Sequence, residues 1–188
     1  LLAVMKLYDN GKFGLTDRVS DYIPVLKGTG KERITIEELL MHQSGLPAFW
    51  PFYKKAIDEE SYTGAFYRTR PDAGHHRQID TRLFVIDHFG YKKELVSKVF
   101  SSDYPLLVSD SMYLHRSFRD SVLQQIAGVP LKDRRYRYSD LNFILLREIV
   151  ENITKIPMNI FLQKEFYKPM KMEHTLFLPL RRFAKDEI

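Results

Sequence analysis

Tyr138-Ser139-Asp140 is the grouping in this sequence with the clearest chemical potential. A phenol titrates near pH ~10, so tyrosine acts as a base only where cations or a helix N-terminus stabilise its phenolate. Both kinds of help lie close by. Lys132, Arg134, Arg135 and Arg137 precede the tyrosine, and a helix is predicted to begin at Ser139. The plainer reading makes Tyr138 a buried aromatic ahead of a capped helix. From spacing alone the plainer reading is preferred.

Other chemistries find less support. A serine nucleophile needs a base to take its proton. The elbow pattern G-x-S-x-G is absent, since Ser44 precedes Gly45 but has His42 two residues before it. S-x-x-K, which sets a lysine one helical turn beyond the serine, fails at every serine. Lys27-Gly28-Thr29-Gly30 looks like a K-T-G strand, but the extra glycine and the lack of a flanking strand argue against it. His75 and His76, with Asp80 and His88, have no metal-ligand spacing, and adjacent histidines project differently. No metal site and no cofactor is expected. The chain has no cysteine, so disulfides, thiolate zinc sites and cysteine nucleophiles are out.

At 188 residues there is room for one sizeable core, and 44% hydrophobic residues are too many for a disordered chain. No apolar run approaches the ~18 residues of a membrane helix, so no membrane span is expected. The formal charge is +5. The excess is local, in Arg68, Arg70, Arg77 and Arg82 and again over 132–137. Polyanion binding is one reading. A solvated basic surface is the other and is preferred, because no nucleic-acid motif accompanies the charge.

The elements that must position these residues are mostly helical. Leu1 to Tyr8 has helical spacing with no capping residue before it, and Asn10-Gly11 stops it. The last residues, 181–188, carry no stop signal, so the chain is expected to be an internal fragment. Thr35-Ile36-Glu37-Glu38 is a capping box that opens a helix ending at Ser44-Gly45. Pro47 and Pro51 bracket an aromatic segment. Residues 54–130 have poor periodicity and are expected to form an irregular insertion, apart from a short helix over Ser117–Ile126. The clearest helix runs from Ser139 to Thr154. Its buried stripe is Leu145, Leu146, Ile149, Val150 and Ile153, and Arg147, Glu148, Glu151, Asn152 and Lys155 form its polar side. Pro157 opens a further helix. Strand signals are limited to His174–Leu178.

Four segments carry a resemblance. Leu7-Tyr8-Asp9-Asn10-Gly11-Lys12-Phe13-Gly14-Leu15-Thr16-Asp17, with Tyr22-Ile23-Pro24, resembles the stretch after the nucleophile helix in class C β-lactamase-like serine hydrolases of the penicillin-binding type. Ile34-Thr35-Ile36 through His42-Gln43-Ser44-Gly45-Leu46-Pro47 resembles that family's I-T-I-x-x-L-L-x-H-x-S-G-L-P run. Tyr138-Ser139-Asp140 falls on its Y-x-N element, and Pro169–Thr175 resembles its P-L-G-M-x-x-T segment. The aromatic stretch 49–53 and the acid-ended Tyr138-Ser139-Asp140 are similar to a subgroup fused to family 3 glycoside hydrolases.

The resemblance implies a mostly α fragment of an α+β fold, with the main antiparallel sheet largely outside this chain. It implies a single partial domain over 1–188, made of a helical segment (1–53), an insertion (54–130) and the Tyr-Ser-Asp element with its following helices (131–188). S-x-x-K would lie upstream of Leu1. Tyr138 would be catalytic as a proton relay. Asp140 would bind substrate or hold the lysine, and Ser139, His42 and Ser44 would support the cleft. An ionised Asp140 only accepts hydrogen bonds, unlike the family's asparagine, which favours esterase or peptidase-like activity over β-lactam hydrolysis. Two family glycines are replaced, by Lys155 and Lys171, each at a cost of about 1 kcal/mol if the left-handed backbone is kept. The implied substrate is a small molecule or a peptidoglycan-like compound, the implied location the exported cell envelope. A non-catalytic binding module on the same fold is the alternative.

Overall fold

Ala3, Val4 and Leu7 recur on one side of the opening helix, α1 (Leu2–Asp9), and all three are buried. The computed structural model describes residues 1–109 and 111–188, and the chain divides into two units. The first joins Leu1–Trp50 to Asp120–Ile188; the second is Pro51–Arg119.

In the first unit α1 ends as its glycine predicts. Gly11 takes φ +63, and the N–H groups of Gly11 and Lys12 turn back to the Tyr8 and Leu7 carbonyls. After the short helix α2 (Val19–Tyr22), α3 (Ile36–Leu40) opens on the expected capping box. Thr35 Oγ1 accepts from the Glu38 N–H at 3.2 Å, and Glu38 Oε2 accepts from the Thr35 N–H at 3.0 Å. Helix α4 (Ser117–Gly128) matches its expected span, and near its C-terminal end the Ala127 carbonyl accepts from Lys31 Nζ at 2.8 Å. That carbonyl end suits a cation. Burial lowers the Lys31 pKa.

Helix α5 (Asp140–Thr154) is the centre of this unit, with α1, α2, α3 and α6 (Met158–Leu162) packed on it. Leu141, Leu145, Ile149 and Val150 are each 1% exposed or less. Burying a side chain of that size contributes about 1.5–3 kcal/mol. Because neighbours surround α5, part of its expected polar side is covered as well. Glu148 and Glu151 are buried, not solvated. Glu151 Oε1 accepts from Arg147 Nε at 3.1 Å and from the Met158 N–H at 2.9 Å. It thus satisfies a free donor in the first turn of α6.

Lys155 and Lys171, at the positions of the family glycines, do take the left-handed conformation, with φ +60 and +54. Lys155→Gly is expected to raise the unfolding free energy by about 0.5–1 kcal/mol, read by urea denaturation.

The second unit does not confirm the expectation of a mostly α chain with its antiparallel sheet largely elsewhere. Among the described residues it carries three small antiparallel sheets. Strand β1 (Ile57–Asp58) pairs with β5 (Gly90–Tyr91). Strands β2 (Tyr67–Arg68), β3 (Arg77–Asp80) and β4 (Leu83–Val85) form a sheet in the order β2-β4-β3. Strands β6 (Val96–Ser97), β7 (Leu106–Ser109) and β8 (Met112–Leu114) form one in the order β6-β8-β7. Strands of two to four residues are too short to show an alternating pattern in sequence. The strand expected over His174–Leu178 is a turn-rich segment instead.

His75 holds part of this unit together. Its Nδ1 lies 2.7 Å from Asp72 Oδ1 and its Nε2 2.8 Å from the Ala65 carbonyl, so both ring nitrogens face acceptors. The Ala65 carbonyl, and then the Asp72 carboxylate, raise the His75 pKa, while the Gly74 N–H and His75 lower that of Asp72. A raised histidine stabilises the fold fully below its unfolded pKa of ~6.5 and loses that contribution as pH climbs through the folded value. The lowered aspartate does the reverse, losing its contribution as pH falls through its folded value. Melting curves from pH 4 to 9 are therefore expected to show His75→Asn most destabilised between about pH 4.5 and 6.5, with the gap to the parent chain narrowing at alkaline pH.

Candidate functional site

Asn142 sits on the inward face of α5, fully buried, with every polar atom engaged. Its Oδ1 accepts from Ser44 Oγ at 2.7 Å, and its Nδ2 donates to the Leu39 carbonyl at 3.0 Å and to His42 Nδ1 at 3.1 Å. The Leu39 carbonyl can only accept, which fixes the orientation of the carboxamide. His42 Nδ1 also accepts from the Ser139 N–H at 3.2 Å. With two donors aimed at Nδ1, the ring proton belongs on Nε2.

His42 is itself strained. It takes φ +54 one residue past the C-cap of α3, where its N–H and that of Gln43 turn back to the Leu39 and Glu38 carbonyls. Glycine usually fills this position. A non-glycine residue there costs on the order of 1 kcal/mol, offset here by the bonds its ring makes.

Segment 42–48 is then laced to segment 132–140. The Lys132 N–H donates to the Gly45 carbonyl at 2.7 Å, the Arg137 N–H to the His42 carbonyl at 2.9 Å, and the Asp140 N–H to the Ala48 carbonyl at 2.9 Å. Gly45 takes φ +77, and a Cβ on it would meet the Lys132 carbonyl oxygen at 2.5 Å. Only glycine permits that approach. Ser139 occupies the N-cap of α5 but makes no cap bond; its Oγ donates to the Pro47 carbonyl at 2.7 Å.

Ser139 is fully buried in extended backbone, so its neighbours project to the opposite side. Tyr138 is 52% exposed and Asp140 is exposed beside it. The plainer reading of Tyr138 as a buried aromatic is thereby set aside. The Tyr138 ring lies 4.8 Å from the His42 ring and 6.1 Å from that of Phe143. Exposed Tyr136 also borders His42, and exposed Phe49 directly follows Ala48.

The expected cationic support for a phenolate is absent from the shifts at Tyr138. Arg134 pairs with Glu38 at 2.7 Å, and Arg135 Nε donates to Asp133 at 3.0 Å. Hydrogen bonding to Asp140 is what chiefly moves Tyr138, and it raises the pKa. The phenol therefore stays protonated at neutral pH, able to donate and to accept.

The structure thus brings together all five residues singled out by sequence. His42, Ser44 and Ser139 lie beneath, and Tyr138 and Asp140 face outward. Asn142 was missed. Its signal was a polar residue three positions before Leu145 on an otherwise apolar stripe. His75 and His76 each bond a carboxylate of their own unit, Asp72 and Asp87.

A beta-lactamase family profile matches residues 1–185. The chain belongs to the beta-lactamase family. Among relatives of that family, an N-acetylmuramyl-L-alanine amidase of Bacillus subtilis (strain 168) is 25% identical over 98% of this chain and 32% of its own length. A putative D-alanyl-D-alanine carboxypeptidase of Salmonella heidelberg (strain SL476) is 25% identical over 96% of this chain and 32% of its own. The chain thus spans about a third of the length of these relatives. An octameric penicillin-binding protein homologue from Pyrococcus abyssi shares the fold, with a TM-score of 0.55, 18% identity, and coverage of 97% of this chain and 32% of that one. Among the described residues no helix is long and apolar enough to cross a membrane.

Asn142→Leu keeps the volume but takes one hydrogen-bond partner each from Ser44 Oγ, the Leu39 carbonyl and His42 Nδ1. It is expected to lower the unfolding free energy by about 2–4 kcal/mol, measured by chemical denaturation. A loss below about 0.5 kcal/mol would show that the network is dispensable.

Proposed function

We propose that this chain is the tyrosine-bearing part of a serine hydrolase that works through an acyl-enzyme. One observation carries the reading: Tyr138 and Asp140 stand exposed, side by side, on a segment clamped from beneath by buried Asn142 and Ser44 and half-buried His42. Substrate-facing groups need this kind of rigid support. The nucleophilic serine and its lysine are supplied by chain outside these 188 residues, since no S-x-x-K occurs within them.

In the proposed cycle the serine hydroxyl attacks an amide or ester carbonyl. Its proton passes through the Tyr138 hydroxyl to the leaving group, and water then hydrolyses the acyl-serine. A protonated phenol suits this relay, because it takes one proton as it gives up the other. Asp140, an acceptor when ionised, holds the lysine ammonium and orients Tyr138. Lacking a donor there, the site favours esters or peptides over acylamino-bearing β-lactams. Ser139, His42 and Ser44 serve as cleft support.

Relatives named as a muramyl-alanine amidase and a carboxypeptidase support an amide of a peptidoglycan-like compound as substrate and the cell envelope as location. They do not favour a non-catalytic binding module. In the longer protein that contains this chain, Tyr138→Phe is expected to lower the acylation rate of a chromogenic ester about 100-fold with the melting temperature unchanged. Unaltered turnover would overturn the relay.

A further inference from the structure

The second unit holds a cavity that the acyl-transfer reading does not use. Its volume is about 420 Å³, toward the lower end of the ~300–1,000 Å³ typical of small-molecule sites. The wall is apolar, with Ile57, Phe66, Ile79, Val85, Val108 and Leu114 among its residues. Part of it stands open to water: Ile79 is 53% exposed and Val108 45%. Covering such surface is favourable by about 25 cal/mol per Å².

Polar character is concentrated along one row. Tyr67 and Arg77 both pair with Val85, one from each side of β4, so the three stand in register across the sheet. Directly paired residues share a face of the sheet. Arg77 is the one charged residue of the described lining, and no carboxylate of the described residues forms an ion pair with it. The Tyr67 and Tyr53 hydroxyls share one hydrogen bond of 2.6 Å. Two phenols sharing one bond leave one proton still to be donated. A guanidinium and a phenol donor at an apolar cavity match an anionic head joined to an apolar tail.

We propose that this cavity binds a single-chain amphiphile with a carboxylate head, a medium-chain fatty acid, with the tail against Ile79, Val85 and Val108 and the carboxylate on Arg77 and the tyrosine pair. The volume suits one chain, and one cation with no ion-pair partner among the described residues suits a monoanion rather than a polyanion.

The test is calorimetric titration of the chain with dodecanoate below its micellar concentration, with dodecanol as the uncharged control. Saturable one-to-one binding is expected, about tenfold weaker for dodecanol and for the exposed-site variant Arg77→Gln, with Arg77→Lys keeping part of the affinity. Ile79→Trp, which fills the cavity without touching the cation, is expected to weaken acid and alcohol alike. Absence of saturable binding, equal affinity for acid and alcohol, or indifference to both Arg77→Gln and Ile79→Trp would overturn the proposal. So would co-sedimentation with anionic vesicles without any uptake of the free acid, which would indicate a membrane surface instead. None of these readouts depends on hydrolase activity.

Discussion

A single carboxamide, that of Asn142, ties together two stretches of chain that lie 98 to 103 residues apart in sequence. It reaches the end of α3 through the Leu39 carbonyl and His42, the following loop through Ser44, and it belongs to α5 itself. In the low-dielectric interior each of these bonds is electrostatically stronger than in water, and each partner would be costly to leave alone. The dependence runs outward from there. His42 keeps a left-handed backbone because its ring is held. That backbone turns the chain so that Gly45 can meet the Lys132 carbonyl, and the lacing of 42–48 to 132–140 follows.

What this clamp decides functionally is direction. With Ser139 pinned inward on the Pro47 carbonyl, extended geometry leaves Tyr138 and Asp140 to face out together. Their proximity also sets the chemistry. A carboxylate beside a phenol favours the protonated phenol, whereas a cation would have favoured the phenolate. Two of the arginines that precede it, Arg134 and Arg135, are held by Glu38 and Asp133. In this chain alone the phenol is thus held protonated, and any lowering of its pKa would come from charges beyond it.

The second unit is built on a different principle. Its sheets are too short to bury much, and its fully covered apolar positions reduce to Ala56, Ile57 and Val85. Charged and aromatic contacts carry more of the load, including the Asp72–His75–Ala65 bonds and the Phe66 ring packed against Tyr62, Tyr67 and Phe89.

Local rules were enough to read the helical parts. The capping box at Thr35, the glycine stop at Gly11 and the apolar stripe of α5 depend on residues within one or two turns, so sequence carried them, whereas α3 ends at Leu40 and not at the expected Ser44-Gly45, because His42 takes the left-handed turn. The family segments were legible too, because each keeps its residue types in order. Three things were not. The strands of 57–114 are shorter than any period can show. Glu151 looked solvated because nothing local reveals that the next helix will bring an N–H to it. Ser139 had the chemistry of a cap, yet its hydroxyl went to Pro47, 92 residues away. Sequence by itself determined which side chains were available and which helices would carry them. Only the tertiary structure decided their partners and the state of the phenol, because hydrogen bonds and charge shifts depend on distances that long-range packing sets.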